Sequence, residues 1–65
     1  MPVIRVDIGT IDAAQKKQLI EELTEAAVKV THIPKPAFSV IIQEHKDENY
    51  GVGGLTLDKV RKSRT

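Results

Sequence analysis

At 65 residues the chain has room for one domain, residues 1–65, and a domain of that size buries only about 60% of the surface its unfolded chain exposes. Without cysteine it has no disulfides or thiolate metal sites, and His32 and His45 have no ligand-like spacing, so oligomerisation is the expected source of added stability. A net charge of +1, an apolar fraction that is aliphatic rather than aromatic, and no apolar run of bilayer length argue against nucleic acid and membrane as partners and predict a cytoplasmic protein.

Met1-Pro2 opens the chain and runs directly into Val3-Ile4-Arg5-Val6-Asp7-Ile8. Removal of the initiator methionine makes Pro2 a secondary amine, which can take up a proton. Ordinary α-amino groups titrate at about 7.7–8.0, and an apolar pocket or a nearby cation disfavours the protonated form. Pro2 is therefore a candidate base held rigidly by its ring. With Met1 retained, its nitrogen is an amide and that role is lost. Taken alone, Met1-Pro2 is a common chain start.

Ile4, Val6 and Ile8 alternate with Val3, Arg5 and Asp7, the period of a strand. Gly9-Thr10 ends it, and Asp12 is placed to cap a helix. A helical pattern runs from Ala13 to about Thr31, with Leu19, Leu23, Ala26, Ala27 and Val30 in one stripe broadened by Ile20. Pro34 and Pro36 stop it, since proline lacks the amide donor and biases its predecessor to extended geometry. Residues 37–44 read as a second strand, with Phe38, Val40 and Ile42 on one face and Ser39, Ile41 and Gln43 on the other. The run Val40-Ile41-Ile42 predicts burial on both faces at its centre.

After a polar loop at residues 45–49 comes Tyr50-Gly51-Val52-Gly53-Gly54, read as a tight turn that brings backbone close to a neighbouring subunit. Residues 55–62 fit a short strand or a helical turn equally well. Lys59, Arg61, Lys62 and Arg64 read as a solvated basic tail. The resulting class is α+β. It is a β-α-β subunit with two parallel strands, one long helix and a C-terminal glycine-rich turn, assembled as an oligomer because one helix covers only one face of the sheet.

Met1-Pro2 before a first strand, Asp12…Gln15-Lys16…Leu19-Ile20, Val40-Ile41-Ile42…Glu44, and Tyr50-Gly51-Val52-Gly53-Gly54 followed by Lys59-Val60-Arg61 together resemble the 4-oxalocrotonate tautomerase family over essentially the whole chain. The resemblance implies a homohexamer built as a trimer of dimers. It also implies an isomerase without cofactor or metal, whose amino-terminal proline moves a proton between enol and keto forms of an unsaturated 2-oxo acid such as 2-hydroxymuconate, as in aromatic compound degradation. Carried over, Pro2 is the base. Tyr50 stands where the family has a pocket phenylalanine, and it reads equally as a half-buried turn aromatic. Ile8, Phe38 and Val52 are candidate wall residues, although core packing explains each equally well.

The family's two substrate arginines are missing here. One falls where this chain has Gly9, Thr10 and Ile11, the other at Ser39. Bidentate recognition of a dicarboxylate goes with them. Tyr50, through its hydroxyl, Ser39 and Arg61 are the substrate-binding candidates that remain, with Arg5, Lys35 and Lys62 as further cations. Arg5 lies on the face opposite Ile4 and Ile8 and reads as half of a structural ion pair. The pattern is closer to a divergent branch of small tautomerase-like proteins named after a phenol-degradation gene cluster. The alternative to an enzyme is a non-catalytic oligomer of the same fold that binds a small acid or a protein partner.

Overall fold

The alternation at the start of the chain becomes β1 (Val3–Ile8) in the computed structural model, which describes residues 2–64. β1 pairs in parallel with β2 (Ser39–Glu44), with Val3 beside Ser39, Arg5 beside Ile41 and Ile8 beside Glu44. Parallel strands need a long crossover, and α1 (Ala13–Thr31) supplies it. Its 19 residues span about 28 Å, enough to return along a six-residue strand of about 20 Å.

Local chemistry fixes both ends of α1. The Asp12 carboxylate accepts from the Gln15 amide at 2.8 Å while the Gln15 side chain accepts from the Asp12 amide at 3.2 Å, a reciprocal capping box. At the other end His32 adopts a left-handed φ of 62°, and its amide donates to the Val28 carbonyl at 2.8 Å. A 3-10 turn, Lys35–Ala37, follows Pro34 and displaces the expected strand start, so that β2 begins at Ser39.

α1 packs against β2 and covers one face of the sheet. Ile4, Val6, Ile8, Val40 and Ile42 are half-buried beneath it, while Val3, Arg5, Asp7, Ile41 and Gln43 are exposed on the opposite face. Ile41 therefore departs from the expected two-sided burial; it is 42% exposed in the subunit. Thr24 is the one buried side chain among the described residues, its hydroxyl donating to the Ile20 carbonyl at 2.7 Å. Val30, placed in the inward stripe by its spacing, is 78% exposed. It stands about 120° around the helix from Thr24, on an apolar arc too wide for this sheet to cover.

The glycine-rich segment is a hairpin. β3 (Gly51–Val52) pairs antiparallel with β4 (Leu55–Thr56) across Gly53-Gly54, whose φ values of 60° and 83° suit a two-residue type I′ turn. A Cβ on either glycine would meet nothing within 4 Å, so within the subunit the backbone conformation and not close approach accounts for them. The segment that sequence left open is strand and then helix, since α2 (Leu57–Arg64) follows β4 directly. Hydrogen bonding to Thr56 and to the first backbone amides of α2 holds the Asp58 carboxyl below its usual range.

No hydrophobic side chain among the described residues is fully buried. The subunit exposes 5135 Å², against about 4,100 Å² expected for a compact 7.2 kDa protein. Its radius of gyration is 14.7 Å, against about 11 Å for a compact chain of this length. No helix among the described residues is long and apolar enough to cross a membrane.

The left-handed residue at the end of α1 gives a direct test. A side chain in that region costs roughly 1–2 kcal/mol, offset in part by the extra freedom glycine loses on folding. His32→Gly is expected to stabilise each subunit by about 0.5–1 kcal/mol in denaturant titration. A loss of stability would show that the His32 side chain contributes more than its backbone strain costs.

Candidate active site

Pro2 sits half-buried at the head of β1, and its carbonyl accepts from the Ser39 amide at 3.1 Å. This bond extends the parallel ladder one residue beyond Val3 and fixes the backbone of Pro2 against β2. The turn at residues 34–37 delivers Phe38 to the same place, its amide donating to the Lys35 carbonyl at 3.1 Å. Phe38 and Ser39 are both half-buried, and the Ser39 hydroxyl makes no hydrogen bond among the described residues. Met1, whose removal the amine requires, lies outside the described residues.

The remaining candidates lie at the other end of the sheet. Ile8 ends β1 five residues beyond Val3, about 17 Å along the strand. The His45 amide donates to the Ile8 carbonyl at 2.8 Å and closes the ladder. Glu44 secures the next segment by accepting from the Ile11 amide at 3.1 Å and pairing with Lys16 of α1. The hydrogen bond from Lys16, reinforced by that from the Ile11 amide, holds the Glu44 carboxyl below the ordinary glutamate range.

Arg61 of α2 donates through Nη1 to both carboxylate oxygens of Asp47, at 3.0 and 2.9 Å. Its other nitrogen lies over Gly9, where a Cβ would come within 2.6 Å of Nη2. Gly9 is buried, and its missing side chain is the space the guanidinium occupies. Tyr50 is half-buried, its ring centroid 6.0 Å from that of His45 with the planes at 76°, an edge-to-face contact. His45 Nε2 in turn lies 2.8 Å from Asp7 Oδ1. Val52 is exposed on the hairpin.

The subunit thus places Pro2, Phe38 and Ser39 together at one end and Ile8, Tyr50, Val52 and Arg61 at the other. It does not bring the two groups into one pocket. Arg61 is already engaged by Asp47, and Lys35 by Glu25 at 2.9 Å. Arg5, read from sequence as half of an ion pair, has none among the described residues. The pair of Asp7 and His45 escaped the sequence reading. Its only signal was parity, because residue 45 continues the outer face of β2 opposite Asp7. Among the described residues no three His, Cys, Asp or Glu side chains cluster as a metal site would require.

Residues 2–59 match the family described as tautomerase enzyme. A probable tautomerase of Helicobacter pylori is 36% identical over 66 residues, covering 95% of this chain and 97% of its own. Among solved structures, TomN, a 4-oxalocrotonate tautomerase homologue in the tomaymycin biosynthetic pathway, superposes with a TM-score of 0.88 at 32% identity, covering 98% of this chain and 100% of its own. DmpI from Helicobacter pylori gives a TM-score of 0.83 at 34% identity, covering 89% of this chain and 98% of its own.

Glu44 gives the site's scaffold a signed pH dependence. Its folded-state pKa lies below the ordinary value of about 4.3. In the window between the two values the unfolded chain binds more protons, so stability rises with pH. The contribution is complete above the ordinary value and is lost as pH falls through the lowered folded value. Melting temperature followed from about pH 7 down to about pH 3 should be lower for Glu44→Gln than for wild type at neutral pH, with the curves converging in acid. Parallel curves would show that Glu44 contributes nothing through its charge.

Proposed function

We propose, because this chain belongs to the 4-oxalocrotonate tautomerase branch of the tautomerase family, that it is an isomerase interconverting enol and keto forms of an unsaturated 2-oxo acid. The observation that carries the reading is the placement of Pro2. It is half-buried at the head of β1, tied through its carbonyl to Ser39 and followed in space by Phe38. In the mature chain its nitrogen is a free secondary amine. As general base it takes the enol hydroxyl proton, the electron pair moves to re-form the carbonyl, and the protonated amine returns a proton to carbon. The amine must be neutral to begin that cycle, which an apolar surround favours by penalising its charged form. Phe38 is the apolar neighbour of Ser39, whose amide bonds the Pro2 carbonyl, and the Ser39 hydroxyl is a donor for substrate oxygen.

Tyr50, Val52, Ile8 and Arg61 join this site through assembly. Both strands of the sheet have an open edge, and a twofold partner whose sheet runs antiparallel sets the far end of one subunit beside the head of the other. The subunit's uncovered apolar surface gives the drive: Val3, Val30, Ile41, Val52 and Leu55 are all exposed. We read the assembly as a homohexamer, a trimer of dimers. One observation favours the second reading, a binding protein of the same fold. Arg61 is held by Asp47 instead of standing free as an electrophile.

Two measurements test the proposal. Ketonisation of 2-hydroxymuconate or phenylenolpyruvate, followed by ultraviolet absorbance on protein whose intact mass shows Met1 removed, should fall at least about 100-fold in Pro2→Ala. An undiminished rate would remove the amine from the mechanism, and no rate with either protein would favour the binding protein. Sedimentation should give a particle of six 7.2 kDa subunits. A monomer at micromolar concentration would contradict assembly.

A further inference from the structure

Three side chains meet at the end of the sheet away from Pro2, and two of them have no part in the proposed chemistry. They are Asp7 of β1, His45 just after β2, and Tyr50 after the 3-10 turn Asp47–Asn49. The His45 amide donates to the Ile8 carbonyl at 2.8 Å, which fixes its backbone to the last residue of β1. Its Nε2 lies 2.8 Å from Asp7 Oδ1. An ionised carboxylate only accepts, so Nε2 carries the proton and the imidazole cannot turn without breaking that bond. The turn then brings Tyr50 back to this ring. The Asn49 amide donates to the Lys46 carbonyl at 2.8 Å and the Tyr50 amide to the Asp47 carbonyl at 3.3 Å, while Arg61 holds the Asp47 side chain. The two rings meet edge to face, with centroids 6.0 Å apart. The Tyr50 hydroxyl makes no hydrogen bond among the described residues. Backbone and ring are held, and the polar tip is left over.

We infer that Asp7 and His45 are a positioning pair for Tyr50, holding its ring so that the hydroxyl donates a hydrogen bond to the 2-oxo oxygen of the substrate. The inference rests on the reading of Tyr50 as part of a composite site with Pro2 of a neighbouring copy. A hydroxyl on a freely turning ring donates to water. On a ring fixed by an edge-to-face contact it is aimed before the substrate arrives, and such a donor needs no reorganisation during the reaction. Negative charge builds on the substrate oxygen once its proton has gone to Pro2, so a donor placed there stabilises the transition state more than the bound enol. The unpartnered hydroxyl suits that task better than Arg61, whose guanidinium is shared with Asp47. Association through the outer face of the sheet leaves the arrangement intact. Neither Asp7 nor His45 has to reach substrate, and covering them excludes water and strengthens their bond.

The chain has one tyrosine and no tryptophan, so the tyrosine region of the near-ultraviolet circular dichroism spectrum reads this one ring. On the assembled protein that signal should fall at least about threefold in His45→Ala and in His45→Gln, and should be retained in Pro2→Ala. Glutamine keeps a donor for Asp7 and removes only the ring, so it carries the test if the alanine variant does not assemble. Asp7→Ala should lower the signal, and Asp7→Asn, whose side-chain oxygen still accepts from the imidazole, should restore most of it. With phenylenolpyruvate, Tyr50→Phe should lower kcat and kcat/KM together by about 10–100-fold, with KM within about twofold. His45→Ala should lower kcat about 3–10-fold, and should have no further effect in the Tyr50→Phe background. An unchanged tyrosine signal in both His45 variants would overturn the inference. So would Tyr50→Phe turning over like wild type, or a His45→Ala loss of the same size in the Tyr50→Phe background. Failure of the Pro2 reading looks different: Pro2→Ala would match the wild-type rate while the tyrosine signal still depended on His45.

Discussion

A two-stranded sheet with one helix on one face leaves its apolar side chains only half-covered, and this constraint shapes the rest of the subunit. The helix covers Ile4, Val6, Val40 and Ile42 only by half. The opposite face and both strand edges stay open. A chain whose residues are 40% apolar buries no hydrophobic side chain completely among those described, so its apolar side chains stay spread over separate surfaces. The exposed apolar side chains of β1, β2, the end of α1 and the hairpin form those surfaces. The same division applies to the candidate site, since the head of the sheet holds Pro2 and the foot holds Tyr50 and Arg61. The uncovered apolar surface and the divided candidate site therefore share one cause, a sheet with a helix on a single face.

Within the subunit, three side-chain ties fix the foot of the sheet. Glu44 joins β2 to the loop after β1 and to α1. Arg61 joins α2 to Asp47 and lies on Gly9. Asp7 and His45 join the two strands on the outer face. Each is exposed or half-exposed, and solvent screens each one, so none is a large source of stability by itself. Their value is geometric. The contacts of Arg61 hold α2 to the end of the sheet, and the other two tie the strands, the loop after β1 and α1 to one another.

The elements legible in the sequence were those set by local chemistry. Asp12 and Gln15 announce the start of α1 by their spacing, and Pro34 and Pro36 announce its end. Gly53-Gly54 marks a turn because only glycine adopts successive positive φ values without penalty. What was not legible depends on which part of a surface meets its neighbour. The apolar arc of α1 is wide, and periodicity alone cannot say that Thr24 faces the sheet while Val30 faces outward. Two-residue strands such as Gly51–Val52 are shorter than any pattern. In the site, the pairing of Pro2 with Ser39 follows from parallel strands that begin together. The engagement of Arg61 by Asp47 requires the short helix and the 3-10 turn to be placed first, and neither is marked by a period.

The acids at the foot of the sheet decide where positive charge is available. Glu44, Asp47 and Asp7 each lie within reach of a base, and each has taken one: Lys16, Arg61 and His45. A different choice by any of them would change the site. Were Asp47 absent, Arg61 would be loose on α2, above a glycine that gives it no fixed position. Asp7, held by His45, leaves Arg5, its neighbour on the same face, without an ion pair among the described residues. In a subunit with so small a core, the pairing of surface charges fixes where positive charge stands even where it contributes little to stability.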